Sequence, residues 1–402
     1  MSVPLDRLYH YLADVVNHDL VIYRWAPHGS RKLEDLTLLT NYSEHQCLNN
    51  PLMILHDQEP LNYEFYTQEQ LYNYAKLTFV KLSDNFMLLD SVLNYVSDMH
   101  LRPPEVCVNH YDLTLLVHSE LNSRQLPYFI KANFVPVYYW SHAMIALDWF
   151  RYANHDPALT YDLDQIQKTF LVYNRAWSGT REYRLYFAQQ LAIHDLAQHS
   201  QMSFAAVDNH AHYADHVFAN KKFQIHLHNL EQLYPLNTAD SGSSADYCGL
   251  DYAACAIEVV LETLFDDDRW HLTEKTLRPI ACGKPFILAA TAGSLQYLKS
   301  YGFETFADVI DETYDTIADS AARLDAIIQE MKRIADLDTA AKQVLYTKLH
   351  EIAQRNKQRF FNGLFGQVIE EYKTNMDQAM IVMQQHCTGQ HGVVIKQLLE
   401  QN

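Results

Sequence analysis

Positive charge is what this chain is short of: 31 Lys and Arg stand against 49 Asp and Glu, a formal net charge of −18 at pH 7. That balance excludes a protein that grips nucleic acid with a broad basic surface and leaves room only for a local basic groove. Long apolar runs are missing too, none approaching the roughly 18 residues of a membrane helix. The opening Met1-Ser2-Val3-Pro4-Leu5-Asp6-Arg7 has neither a basic n-region nor an apolar h-region, so the expected compartment is the cytoplasm. The six cysteines, Cys47, Cys107, Cys248, Cys255, Cys282 and Cys387, form no C-x-x-C pair. Several sit in apolar stretches and read as reduced thiols acting as small hydrophobes. There is no internal repeat, and no G-x-G-x-x-G fingerprint, Walker loop or G-x-S-x-G elbow, which removes the dehydrogenase, P-loop and α/β-hydrolase readings.

What is present is apolar mass: 48% of the 402 residues are hydrophobic, with 27 Tyr and 18 Phe. This is enough for two cores in domains of about 150–200 residues plus a helical tail. Leu5, Leu8, Leu12, Val15 and Val16 share one helical face, and Leu20 to Trp25 follows as a strand. Pro51 to His56 is a short apolar strand that delivers Asp57 and Glu59 from its carboxyl end, where open α/β sheets place ligands. The bland alternative is a polar turn before Pro60. Residues 77–81, 105–109 and 113–118 are further strands alternating with helical or polar stretches, a pattern that indicates a parallel sheet, and Glu120 again follows a strand end.

A boundary is expected at about 155–167. Beyond it a strand at 169–173 runs into Asn174-Arg175-Ala176-Trp177-Ser178-Gly179-Thr180-Arg181 and then a helix to about 195. A strand, an Arg-bearing Gly loop and a helix in that order can cradle a diphosphate. Residues 236–251 read as a surface loop. The strand Ala253 to Thr263 delivers Glu262.

The densest local signal follows, in Trp270 to Leu288. Thr273 is a good N-cap, Glu274 suits the first turn, Gly283 suits the C′ position and Pro285 ends the helix before a strand. The first turn should present unsatisfied N–H groups and a positive dipole end, with Thr273, Lys275 and Arg278 nearby, so an anion such as a phosphate has a seat there. The alternative is an ordinary capped helix. After the next strand, Ser294 starts a helix and is a further candidate to face a ligand. From about Asp319 to Tyr372 the chain reads as helical, with Leu324, Ile327, Ile328, Met331 and Ile334 on one face.

Asp266-Asp267-Asp268 has the composition of a divalent-cation site, and His210, His212, His216, His226 and His228 are numerous enough to suggest a transition metal. Three successive Asp before Arg269 also suit a solvated loop, and the histidines lack a standard ligand spacing. No metal site is therefore assigned.

Thr273-Glu274-Lys275, the small-residue helix behind it and Gly-Lys-Pro-Phe-Ile resemble the nucleotide-sugar half of GT-B glycosyltransferases, as in the α-1,3-fucosyltransferases and related phage or viral sequences. The resemblance covers roughly residues 168–315, and the N-terminal half only loosely. It implies an α/β fold of two Rossmann-like domains facing a cleft. These are an acceptor-side domain at 1–160, a nucleotide-sugar domain at 161–318 and a helical C-terminal region at 319–402 that packs on or crosses between them. Asn174, Arg175 and Arg181 match a donor-phosphate loop, although Thr180 stands where those families often carry His. The implied activity is transfer of a sugar from a nucleotide-sugar to an acceptor hydroxyl without a metal or other cofactor, the nucleotide-sugar being a substrate. Lys275, Arg175 and Arg181 would neutralise the leaving diphosphate, and Glu262 and Glu274 would hold ribose or sugar hydroxyls. Asp57 or Glu59, and next Glu120, would serve as general base. A glycan, a small molecule, a protein or a hydroxymethylated DNA base remains open as acceptor, and a phage origin would put the protein in a host cytoplasm. The other class left open is a binding protein for a nucleotide or nucleotide-sugar without turnover.

Overall fold

The computed structural model describes residues 2–16, 20–25, 36–38, 52–56, 58–61, 79–82, 85–88, 105–107, 113–234 and 246–387. The chain divides into two compact units: a split unit, Val3–Ser141 with Val368–Asn402, and a central unit, His142–Gln367 with the first two residues. Both are α/β, with parallel strands and helices. Among the described residues no helix is long and apolar enough to cross a membrane.

The strands of the split unit are β1 (Val21–Trp25), β2 (Leu36–Leu38), β3 (Leu52–Leu55), β4 (Phe79–Leu82), β5 (Asn85–Leu88), β6 (Glu105–Cys107), β7 (Thr114–His118) and β8 (Phe134–Tyr138). Five of them form a sheet in the order β2-β1-β3-β7-β8, parallel except for β2. β7 is buried along its whole length, as a strand covered on both faces must be. β8 lies at the end of the sheet order and holds Pro136, which cannot donate to a ladder and so suits an edge. The helix Leu5–Val15 buries Leu8, Tyr9 and Leu12. In the last described helix, Phe365–Cys387, the Tyr372 ring meets that of Tyr139 at 5.2 Å with a 55° tilt, and Asn375 Nδ2 donates to the Tyr138 carbonyl at 2.8 Å.

Two expected members of the parallel sheet are not in it. β4 and β6, in the stretches expected at 77–81 and 105–109, belong with β5 to a separate antiparallel sheet in the order β5-β4-β6. Only Ser83 and Asp84 separate β4 from β5, far short of a parallel crossover. Strand propensity marked these segments without fixing their neighbours.

The central unit is built on a four-stranded parallel sheet in the order β10-β9-β13-β14, from β9 (Lys168–Asn174), β10 (Ser200–Phe204), β13 (Cys255–Leu261) and β14 (Phe286–Ala289). A two-stranded ribbon, β11 (Val207–Asp208) with β12 (Ala211–His212), lies beyond β10 in sequence. Helix Tyr183–Ile193 carries the chain from β9 to β10, and helix Glu274–Cys282 from β13 to β14, the crossovers that parallel neighbours require. β13 is buried throughout. Its one charged residue, Glu258, is paired at 2.6 Å with Arg278, whose guanidinium lies 4.3 Å from the Tyr173 ring centre. The helix Ser320–Ala335 buries Leu324, Ile327, Ile328, Met331 and Ile334, the face expected from their spacing. Cys248, Cys255 and Cys282 are free thiols.

Candidate functional site

In the central unit the carboxyl ends of β9 and β13 gather the polar residues that the sequence singled out. Thr273 is the N-cap of the helix Glu274–Cys282, and Gly283 closes it in the left-handed conformation at φ 68°. The seat at this helix start is already taken. Glu262, one residue past β13 and fully buried, accepts through Oε1 from Thr273 N (3.0 Å), Thr276 N (3.2 Å) and Thr276 Oγ1 (2.6 Å). Its Oε2 accepts from Thr273 Oγ1 (2.8 Å) and Thr263 N (3.2 Å). Of the N–H groups at this helix start, those of Thr273 and Thr276 are bonded to an internal carboxylate and that of Lys275 to Thr273 Oγ1, so an internal negative charge already gains from the dipole there.

Side chains supply the charge that reaches outward. Lys275 is half-buried, its Nζ 2.7 Å from Glu274 Oε1 and 3.2 Å from Thr273 Oγ1. The second Glu274 oxygen lies 3.3 Å from Nδ1 of His142, near the start of the helix Ser141–Trp149, and the His142 ring meets His271 edge to face at 5.0 Å. Burial alone would push the Glu274 carboxyl up, but Lys275 and His142 hold it well below its usual 4.5. Burial likewise works against a charged His142, and the bond to Glu274 outweighs it, so its pKa rises above 6.5.

The loop after β9 behaves in the same way. The amides of Trp177 and Ser178 donate to Asp208 Oδ2 at 2.8 and 2.7 Å. Burial opposes the Asp208 charge, yet these bonds hold its pKa below 3.8. Asn174 is buried and braces β9 to the next helix through the Arg184 carbonyl at 3.3 Å. Arg175, the first residue past β9, is exposed, and Arg181, the last residue of the 3-10 turn Gly179–Arg181, is half-buried. Arg184, buried, donates to the carbonyls of Ala176, Leu261 and Glu262, and Tyr183 Oη also donates to the Glu262 carbonyl, so the ends of β9 and β13 are bolted together. Beside them lies a cavity of about 460 Å³ whose wall includes Gly179, Thr180, Tyr183, Phe223, Phe265 and Asp266.

Two of the singled-out residues point into the fold. Arg278 is consumed by Glu258 and Tyr173. Ser294 is buried with its hydroxyl on the Thr291 carbonyl at 2.6 Å, while Asp315 accepts from Leu295 N at 3.1 Å at that helix start, and burial pushes the Asp315 carboxyl up to about 6. Asp266 is held by Lys222, Ser320 and Asn220, and Asp267 by Arg269. His216 bonds Glu182 at 2.7 Å, and His212 Nδ1 accepts from Ala214 N. Among the described residues no cluster of three His, Cys, Asp or Glu is arranged to hold a metal ion.

In the split unit, Asp57 lies outside the described residues and Glu59 is half-buried. Glu120 is buried and fastens two loops, accepting from Leu61 N at 3.0 Å on one oxygen and from Ser123 Oγ on the other. His56 and His118, at the ends of β3 and β7, are kept neutral by burial, with pKa values lowered to about 4 and about 3.

His142, His271, Asp208 and Arg184 carry no sequence signal as members of this constellation, because each meets at least one partner that lies far away in sequence. No protein-family profile, curated protein or solved structure matches the chain.

Proposed function

We propose that the central unit binds a nucleoside diphosphate-sugar and that the protein is a metal-independent glycosyltransferase of GT-B type. The observation that carries the reading is Lys275: a half-buried ammonium at a helix start, oriented by Glu274 and Thr273 beside the joined ends of β9 and β13. Carboxyl ends of parallel strands are where open α/β sheets take ligands. The cavity lined by Gly179, Thr180 and Tyr183, at about 460 Å³, is of small-molecule size, although Lys275 is not part of its wall. In this reading Lys275 meets the diphosphate, with Arg175 and Arg181 on the neighbouring loop as further cations. A lysine and arginines then stabilise the leaving group electrostatically. Glu262 and Asp208 are spent on backbone amides and prepare the loops without touching the ligand. Glu120, with both oxygens engaged, is the weaker candidate for general base, and Glu59 the stronger. The acceptor is a hydroxyl on a glycan, small molecule, protein or modified DNA base.

A thermal-shift screen of nucleoside diphosphates and nucleotide-sugars tests the reading, since a ligand that binds the folded state raises the melting temperature. One nucleotide series should stabilise the protein, and its sugar conjugate should be hydrolysed slowly or transferred. Stabilisation without any turnover leaves a binding protein. No shift with any member removes the donor site.

A further inference from the structure

We infer that His142 is a positioning residue for Lys275, acting through Glu274 to set how strongly the lysine can meet an anionic ligand. The inference rests on the nucleoside diphosphate reading of the site and adds to it a residue from a separate helix. Glu274 divides its two oxygens between two basic side chains, Oε1 to Lys275 at 2.7 Å and Oε2 to His142 at 3.3 Å, and its side chain is only 6% exposed, so water does not replace either partner. The lysine ammonium has three N–H donors, two of them directed at Glu274 and Thr273. Its side chain is 20% exposed, and the third donor is the one a ligand can take.

The groups that face His142 are Glu274, Lys275 and Glu262, with the ring of His271 against its own. With a neutral imidazole the two carboxylates and one ammonium leave this cluster at a formal charge of −1. An imidazolium brings it to zero. Protonation therefore removes the repulsion an arriving phosphate would meet. It also draws Glu274 away from Lys275, because a carboxylate shared by two cations holds each less tightly than one that serves a single cation. The contact with Glu274 raises the pKa of the imidazole above its ordinary value, against the effect of burial.

Inorganic pyrophosphate is a suitable probe, because its own ionisation is common to every protein variant and cancels in a comparison. Affinity is measured from pH 5.5 to 9 for the natural chain and for His142→Gln, which keeps a hydrogen-bonding side chain and discards the charge. The natural chain should bind about tenfold more tightly at the acid end, and the advantage should vanish at the alkaline end. By reciprocity, pyrophosphate should raise the titration midpoint of His142 followed by NMR in the natural chain, a measurement that needs no variant. Binding with a constant ratio between the two proteins and an unmoved midpoint would overturn the role of His142 and leave the anion site standing. Absence of pyrophosphate binding at every pH would overturn both.

Discussion

Replacing Glu262 by Gln isolates the carboxylate at the start of the helix Glu274–Cys282. The side chain accepts five hydrogen bonds, three on Oε1 and two on Oε2, and is fully buried. A glutamine keeps the shape but must turn one oxygen into an NH₂ group. Turned toward the Oε1 side, that group faces the amides of Thr273 and Thr276. Turned toward the Oε2 side, it faces the Thr263 amide and the Thr273 hydroxyl, which can rotate to accept. The second orientation costs less and strands one buried N–H, at about 1–3 kcal/mol. Loss of the negative charge at the dipole's positive end adds about 0.3–1 kcal/mol or more in a buried setting. Glu262→Gln should therefore lower the stability of the central unit by about 1.5–4 kcal/mol. Glu262→Ala, which removes the acceptor of all five bonds, should cost more. Urea unfolding followed by a probe in the central unit, such as Trp177 or Trp270 fluorescence, reads the change, with the m-value watched for departure from a single transition. A loss under about 0.5 kcal/mol for the Gln variant would refute the view that this carboxylate, and no external anion, satisfies the helix start.

Lys275→Ala should weaken nucleoside diphosphate binding by about 1.5–3 kcal/mol in calorimetry, the worth of a charge-assisted contact, and Arg175→Ala should weaken it too while leaving the melting temperature nearly unchanged. The His142–Glu274 pair gives stability a plateau in pH. The folded pKa of His142 lies above 6.5, so its contribution is whole below that pH and lost as pH rises through the folded value. That of Glu274 lies below 4.5, so its contribution is present above that pH and lost as pH falls through the folded value. In His142→Gln the alkaline loss should disappear from a series of melts, and an unchanged alkaline limb would contradict the pairing. Gly283→Ala should destabilise by about 1–2 kcal/mol for the left-handed backbone, and its Cβ would also sit 2.5 Å from Gln354 Nε2; an unaltered melting temperature would count against this. Glu59→Gln should bind donor normally and transfer it about 10²–10⁴-fold more slowly, whereas full transfer would shift attention to Asp57 and Glu120.

Local chemistry was the legible part of this chain. Thr273 as cap, Gly283 as left-handed stop and the strand after Pro285 are all decided by residues within a turn of one another, and the structure has them as read. The buried face of the helix Ser320–Ala335 follows from spacing in the same way. Partnership over distance was not legible. Glu262 could be placed at a strand end, but its capture of Thr273 and Thr276 depends on how the loop after β13 folds back. His142 stands 132 positions before Glu274, and nothing in either neighbourhood names the other. Asp208 claims the Trp177 and Ser178 amides from the ribbon beyond β10, which no motif anticipates. An unoccupied dipole end and one filled from within look alike in sequence, because the cap, the acidic residue and the lysine are the same in both.

The split unit also dictates an order of assembly. Tyr372 and Asn375, which hold Tyr139 and the end of β8, leave the ribosome after the entire central unit has been made. Residues 142–367 are contiguous and can collapse while synthesis continues, but the earlier segment must wait with part of its apolar surface uncovered until the long helix Phe365–Cys387 arrives. The segment 3–141 is thus translated before residues 142–367 yet belongs to the unit completed after them.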